Sequence, residues 1–254
     1  MENNTVIKVE HVSKKFNIYR KDIQKIISVL FGKEPSEIMY ALDDVSFEVA
    51  RGERVNVFGV LGAGRSTLLN TICGVSLPSK GRVGVKGKIN AMLFAKAGLE
   101  MEFTCRENVF MKANVVGLPK ARTNEVVDDV LEFAELKDFA AIPLKRASRG
   151  APTLLSLAVH LSADADIIVM DEAFSGGGNY VRSKCEERFR DYIRDHEDVT
   201  LLMASNHWGY VKEICPRSIV LDEGKIIFDG DTDEAIAIYR EVYKRTQVVP
   251  KDEK

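Results

Sequence analysis

The sequence has few cysteines and almost no net charge. Its four cysteines are widely spaced among 254 residues and form no CxxC pair. We therefore interpret them as reduced thiols of a cytosolic protein and not as disulfides or metal ligands. They are Cys73, Cys105, Cys185 and Cys215. A formal net charge of −2 gives no electrostatic basis for nucleic-acid binding, so no nucleic-acid partner is predicted.

Long hydrophobic runs are also missing from the sequence. No apolar stretch is long enough to cross a bilayer, and Met1–Asn4 does not begin a signal peptide. We therefore expect the protein to serve a membrane, if it does so, from the cytoplasm. Hydrophobic residues at 45% and charged residues at 29% are ordinary for a soluble globular protein. A chain of this length can bury a large core as one domain, or as one domain with a subdomain.

A glycine-rich segment, GVLGAGRST at 59–67, is the main chemical signal in the chain. It matches a phosphate-binding loop, except that Arg65 replaces the lysine of that pattern. Backbone N–H groups of such a loop surround phosphates, and the Ser66 hydroxyl is placed to reach Mg²⁺. The segment therefore predicts binding of a nucleoside triphosphate. The candidate nucleotide-binding residues are Gly59, Gly62, Ala63, Gly64, Arg65, Ser66 and Thr67.

The residues on either side of this loop support the same interpretation. Arg54–Phe58 has the pattern of a strand, and Ser66–Cys73 has that of a helix that Gly74 can cap. The positive end of the helix dipole would then face the phosphates. The order of strand, loop and helix favours a phosphate loop over an ordinary glycine-rich turn.

A pair of carboxylates follows a continuous apolar run, IIVM at 167–170. Such a run is typical of a parallel strand that is buried on both faces. Ligands of α/β proteins bind at the carboxyl ends of such strands, where Asp171 and Glu172 are found. Asp171 is predicted to hold Mg²⁺ through water, and Glu172 to polarise the attacking water as general base.

Strands and helices alternate along the rest of the chain, which predicts an α/β fold with right-handed crossovers. Helical structure is expected over Thr104–Phe139 and roughly over Thr232–Lys244. An apolar stripe in the first segment is interpreted as packing; it contains Val126, Val127, Val130, Leu131 and Ala134. The other predicted strands are Val6–Glu10, Ala41–Val49, Thr200–Ala204, Ser218–Leu221 and Lys225–Phe228.

An insert at about 17–39 separates the first two strands and has the spacing of an amphipathic helix. Its apolar positions are Ile23, Ile26, Ile27, Leu30 and Phe31. Two interpretations stay open. The helix packs on its own domain, or it presents a surface to a membrane partner or to the lipid interface.

With both motifs placed, the chain resembles the nucleotide-binding subunits of ATP-binding cassette (ABC) transporters over about Val6–Tyr243. It is similar to the branch that exports polysaccharides, O-antigen, capsule and teichoic acid. TCREN at 104–108 is similar to "TGREN", and EFAELKDF at 132–139 is similar to "EFAELGDF". The DEA at 171–173, with Lys184-Cys185 downstream, also matches.

The resemblance implies a P-loop NTPase of the ABC type. Its parts would be a mainly parallel core sheet, an antiparallel β subdomain and a helical subdomain at about 104–162. We expect a single nucleotide-binding domain over 1–245 and a charged C-terminal tail over 246–254. No carbohydrate-binding domain, which some members of the branch carry, is expected within these residues.

The resemblance also implies an assembly. Two nucleotide-binding subunits would sandwich two ATP molecules and open on hydrolysis, as a homodimer or alternatively a heterodimer. An ABC-2-type membrane-spanning permease subunit would be the partner. The protein would then lie at the cytoplasmic face of the inner membrane, held there through the permease. ATP and Mg²⁺ are the implied cofactors.

Further site residues follow from the resemblance by position. Phe16 would stack on adenine, with Tyr19 as the alternative, although Phe16 fits a core position equally well. Ser148 and Gly150 would contact the nucleotide of the opposite subunit. Asn206 stands where the family has its switch histidine, and His207 beside it is a possible substitute.

Several of these positions depart from the family pattern. Arg65 keeps the charge of lysine but is longer, planar and forked. The family's signature segment aligns with ASRGA at 147–151, where Arg149 places a bulky cation close to where phosphate would sit. Asn206 can donate a hydrogen bond but cannot take up and release a proton. Gly178 replaces an acidic residue, and Phe94 replaces a glutamine or glutamate.

Two hypotheses follow, because Glu172 is retained while its surroundings are altered. The first is an ABC-type ATPase subunit that energises export of a cell-surface polysaccharide or teichoic acid. The second is a degenerate nucleotide-binding subunit that dimerises or regulates an exporter without efficient hydrolysis. Non-transport ABC proteins of repair or translation fit less well, because the chain has neither a long coiled-coil insert nor a second cassette.

Overall fold

The computed structural model describes residues 4–18, 37–94, 97–174 and 177–248. These residues form two compact units. The first contains the described parts of Met1–Ala50, Val55–Lys86 and Pro216–Lys254, and the second contains Arg51–Arg54 and Gly87–Cys215. No helix among the described residues is both long and apolar enough to span a membrane.

The strands and helices alternate through most of the chain, as predicted. The strands are β1 (Thr5–Ile18), β2 (Glu37–Ala50), β3 (Arg54–Phe58), β4 (Lys80–Val85), β5 (Ile89–Met92), β6 (Ile167–Asp171), β7 (Thr200–Ala204), β8 (Arg217–Asp222) and β9 (Lys225–Asp231). The helices are α1 (Arg65–Ile72), α2 (Cys105–Val115), α3 (Lys120–Phe133), α4 (Ala151–Leu161), α5 (Gly178–Asp195), α6 (Trp208–Ile214) and α7 (Thr232–Val248). Two single-turn 3₁₀ helices, Lys137–Phe139 and Leu144–Arg146, lie between α3 and α4.

The first unit contains an antiparallel sheet in the order β2-β1-β4. Val45, Phe47 and Val49 alternate along β2, and all three are buried. Alternating apolar side chains thus give the sheet β2-β1-β4 its core face.

In the same unit β3 pairs parallel with β8, and β8 pairs antiparallel with β9.

Helix α1 ends as the sequence predicts. Gly74 adopts a positive φ of 72° just after the helix. Its N–H donates to the carbonyl oxygen of Thr71, and the N–H of Val75 donates to that of Asn70. This pair of bonds is a Schellman motif, which satisfies carbonyl groups that would otherwise lack partners.

The second unit contains a parallel array in which β6 pairs with both β5 and β7. Four successive residues of β6, 167–170, are buried, as expected for a strand covered on both faces. Helix α2 begins with a capping box formed by Thr104 and Glu107. Helices α2, α3 and α4 occupy the region predicted as a helical subdomain at about 104–162, and the predicted apolar stripe of α3 is buried.

Two predicted segments, the insert at about 17–39 and the tail at 246–254, differ from the structure at their ends. Asn17 and Ile18 belong to β1, and Ile18 pairs with Glu37 of β2. The described ends of the insert are therefore strands and not helix, and the predicted amphipathic positions lie outside the described residues. Helix α7 extends to Val248, so its last turn occupies part of the predicted charged tail.

Candidate functional site

The phosphate loop has a backbone that only glycine allows at two positions. Gly62 and Gly64 have φ values of 87° and 106°, in the left-handed region. A Cβ on Gly64 would lie 2.3 Å from the carbonyl oxygen of Ala41. A Cβ on Gly59 would lie 2.9 Å from the Cβ of Ala63. Close approach of neighbouring chain segments therefore fixes both Gly59 and Gly64.

The side chains of the loop fall into different environments. Ser66 is exposed to solvent, whereas Ala63 is buried. Arg65 is the first residue of α1, and its Cγ lies 3.2 Å from the place of a Cβ on Gly59, so its stem packs against the loop. The first turn of α1 has no acidic residue, which leaves its N-terminal N–H groups suited to an anion.

The predicted acidic strand end lies in the second unit. The N–H of Glu172 donates to the carbonyl oxygen of Ala204 at 3.0 Å, which continues the pairing of β6 with β7. Glu172 has a φ of 43°, a conformation that costs energy for a residue with a side chain. Glu172 is exposed, while Asp171 is only partly exposed.

Glu172 and Asn206 line one cavity of about 310 Å³. The other polar side chains around it are Arg182, Glu186, Ser205 and His207. Within the second unit the structure therefore brings together the predicted general base and the residue at the switch position. A water or an oxyanion could be held there by these groups.

A histidine and a carboxylate pair at this cavity. Nδ1 of His207 lies 2.6 Å from Oε1 of Glu186, and Glu186 is only 8% exposed. Because Nδ1 is engaged by Glu186, Nε2 is the ring nitrogen that can meet a ligand. The sequence showed His207 but gave no signal for Glu186, which lies 21 residues away on α5.

The signature segment precedes α4. Ser148 and Arg149 are exposed, and Gly150 is the N-cap of that helix. A Cβ on Gly150 would lie 2.1 Å from Cγ2 of Val181. Gly150 is thus required by packing against α5, independently of any contact with nucleotide.

The remaining candidates have varied surroundings. Phe16 is 42% exposed, so its interpretation as a core residue is wrong, while stacking on adenine stays a prediction. Tyr19 lies outside the described residues. Phe94 is 63% exposed. Gly178 has a φ of 83°, and a Cβ there would have no atom within 4 Å, so a side chain would meet strain but no clash.

A second cavity, of about 490 Å³, lies beside the phosphate loop in the first unit. It is lined by Val60–Ala63 and by Asp222, Glu223, Arg245 and Thr246. No motif in the sequence connects the segment Asp222–Gly224 with the loop. The sequence also gave no sign that α7 reaches this place.

A glycine-rich loop between a strand and a helix, with a parallel strand that ends in two carboxylates, defines the class of P-loop nucleotide-binding proteins. The sequence model of the family described as "ABC transporter" matches residues 42–175, just over half of the chain. The chain belongs to the ABC transporter family. The predicted family, fold class and assignment to the ABC-type ATPases are confirmed.

Individual relatives agree with this assignment. The chain is 33% identical over 242 residues to the teichoic acids export ATP-binding protein TagH of Bacillus anthracis, a match that covers 95% of this chain and 44% of that protein. It is 31% identical over 242 residues to the O-antigen export system ATP-binding protein RfbB of Klebsiella pneumoniae, a match that covers 93% of this chain and 98% of that protein. The chain thus spans less than half the length of the first relative and nearly all of the second.

Solved structures show the same fold. A dimeric ATP-binding cassette in a post-hydrolysis state, bound to ADP and Pi, superposes with a TM-score of 0.70 at 20% identity. The match covers 89% of this chain and 98% of that one. This likeness confirms an α/β cassette fold.

Proposed function

We propose that this chain is the ATP-binding subunit of an ABC transporter that exports a cell-surface polysaccharide or teichoic acid. The names of two relatives support this substrate class. One is named as a teichoic acids export protein, and the other as part of an O-antigen export system. A separate membrane-spanning subunit of the ABC-2 type would form the pathway. The chain would act at the cytoplasmic face of the membrane, as a homodimer or a heterodimer.

The geometry of the phosphate loop is the observation that carries the proposal. Gly62 and Gly64 turn the backbone into α1, and the first turn of that helix has no acidic residue. Successive N–H groups in such a turn form an anion-binding concavity. We assign the phosphates of ATP to this loop.

Other residues have proposed roles in the same reaction. Ser66 and Asp171 supply hard oxygen ligands of the kind Mg²⁺ prefers, and the metal would neutralise phosphate charge when bound. Glu172 accepts a proton from the attacking water. Phe16 stacks on adenine, while Ser148 and Gly150 contact the nucleotide of the opposite subunit.

A degenerate subunit without efficient turnover is the second candidate function, and specific residues favour it. Asn206 lines the cavity of Glu172 but cannot carry a proton. Arg149 is exposed beside the N-terminus of α4, where its guanidinium adds bulk and charge. In this case the chain binds ATP and dimerises but hydrolyses slowly.

Steady-state ATPase activity, measured beside nucleotide affinity, separates the two candidates. We expect turnover on the order of 1 per second, which Glu172→Gln abolishes without loss of ATP binding. Retained binding without turnover in the wild-type chain would instead establish the degenerate subunit. In that case, Arg65→Lys combined with Asn206→His should raise the rate, since the pair restores a compact ammonium and a proton carrier.

A further inference from the structure

The turn between β8 and β9 supports the phosphate loop from one side. The N–H of Gly224, in this turn, donates to the carbonyl oxygen of Ala63 at 3.0 Å. The carbonyl oxygen of Leu221 lies 3.0 Å from the place of a Cβ on Gly59. Loop and turn are therefore close together at two points.

An ion pair connects this turn to the last helix. Asp222 ends β8, and its side chain is only 12% exposed. Arg245 of α7 donates a hydrogen bond from Nη2 to Oδ2 of this carboxylate. Lys225, the cation at the start of β9 next to the turn, pairs with Asp43 at 3.1 Å instead. Arg245 is thus the cation that the structure places on Asp222.

Asp222 is an unusual neighbour for a loop that binds anions. It lines the same cavity as Val60–Ala63, together with Arg245. A nearly buried carboxylate repels phosphate strongly, because little water screens its charge. Pairing with Arg245 removes this repulsion, whereas loss of the arginine would leave the carboxylate uncompensated.

We propose that Arg245 is a positioning residue for nucleotide binding, which neutralises Asp222 and so adapts the phosphate loop to a polyphosphate. The inference rests on the proposed function, since it requires that the loop bind ATP. It makes α7 part of the nucleotide-binding apparatus. Because coupling between sites is reciprocal, ATP in the loop should also favour the docked position of Arg245.

Equilibrium binding of MgATP to the full chain tests the proposal. We expect Arg245→Ala to raise the dissociation constant about three- to fivefold, as for loss of a partly exposed ion pair. Arg245→Lys should keep most of the affinity. The decisive variant is Arg245→Ala with Asp222→Asn, which should recover wild-type affinity because the repelling charge is gone.

Two matched controls come from α7. Lys244→Ala removes the cation that precedes Arg245, and Glu241→Gln removes an exposed carboxylate of the same helix; neither residue lines the cavity, so neither should change the affinity. If Arg245→Ala binds as well as wild type, or if Asp222→Asn fails to rescue it, the proposal is overturned. If the wild-type chain does not bind MgATP, the proposed function fails as well, and that result is distinct because it appears before any substitution.

Discussion

At the scale of single residues, glycines in this chain serve packing as well as backbone freedom. Gly64 and Gly150 occupy positions where the family resemblance implies contact with nucleotide. The structure gives each of them a second reason, because a Cβ would meet Ala41 in one case and Val181 in the other. Retention of these glycines is therefore no evidence of catalysis by itself.

Gly150 allows a direct test of this packing role. Its φ of −87° suits any residue, so a Cβ there brings no backbone strain and only the clash with Val181. We expect Gly150→Ala to lower the free energy of unfolding by about 2 kcal/mol, measured by urea denaturation. Adding Val181→Ala should recover part of that loss, because the two substitutions share one contact.

Gly209 supplies the control for this experiment. It lies in α6, and a Cβ there would meet no atom within 4 Å. Gly209→Ala should therefore not destabilise the chain. A Gly150→Ala variant as stable as Gly209→Ala would show that Val181 moves aside without cost, and would contradict the packing argument.

At the scale of elements, helix α2 anchors residues 97–100. The Asn108 side chain of α2 makes two hydrogen bonds with Glu100. Its Oδ1 accepts from the N–H of Glu100, and its Nδ2 donates to the carbonyl oxygen of Glu100. Lys112, one turn further on, is 2% exposed and donates from Nζ to the carbonyl oxygen of Ala97 at 2.8 Å. Burial lowers the pKa of Lys112 from 10.5 to about 8.

This buried lysine predicts a dependence of stability on pH. Between pH 8 and pH 10.5 the unfolded chain keeps the proton that folded Lys112 has lost, so stability should rise with pH in this window. Lys112→Met should abolish that rise, as measured by the free energy of unfolding at several pH values. Substitution of the exposed Lys120 by methionine should preserve it. Parallel curves for wild type and Lys112→Met would contradict the prediction.

Local patterns predicted some elements well and others only in part. The limits of β3 and β7 agree with the predictions Arg54–Phe58 and Thr200–Ala204, because short apolar runs define them. Strand β1 was predicted as Val6–Glu10 but extends to Ile18. Its second half is largely exposed and is held by pairing with β2, as between Phe16 and Met39. Pairing of this kind depends on a distant segment, so periodicity does not show it.

The candidate site follows the same rule. The phosphate loop was predictable because its chemistry depends on consecutive residues. The pairs Asp222–Arg245 and Glu186–His207 were not, because their members lie 23 and 21 residues apart on different elements. Only the fold brings such charges together, and no local sequence pattern links the two members of either pair.

At the scale of the whole molecule, the predicted site residues are found in both units. The phosphate loop belongs to the first unit and Glu172 to the second. The family resemblance adds a further division, in which Ser148 and Gly150 would serve the nucleotide of another subunit. Ser148 is exposed in the single chain, as a residue with such a role must be.

The state of assembly therefore gives the last prediction. We expect Glu172→Gln to be monomeric without nucleotide and dimeric with ATP, measured by size-exclusion chromatography with light scattering. The substitution keeps ATP binding but removes the base, so the closed dimer is not released by hydrolysis. Ser148→Trp should prevent dimerisation without lowering stability, because the side chain is exposed in the monomer.

The wild-type chain, in the same experiment, shows which proposed function holds. A competent ATPase should form the dimer only transiently and return to monomer as ATP is consumed. A degenerate subunit should stay dimeric with ATP, as the Glu172→Gln variant does, since Arg65, Arg149 and Asn206 would already have slowed the chemical step. A chain that binds ATP but remains monomeric in both forms would contradict the proposed homodimer and would direct attention to a second, different nucleotide-binding subunit.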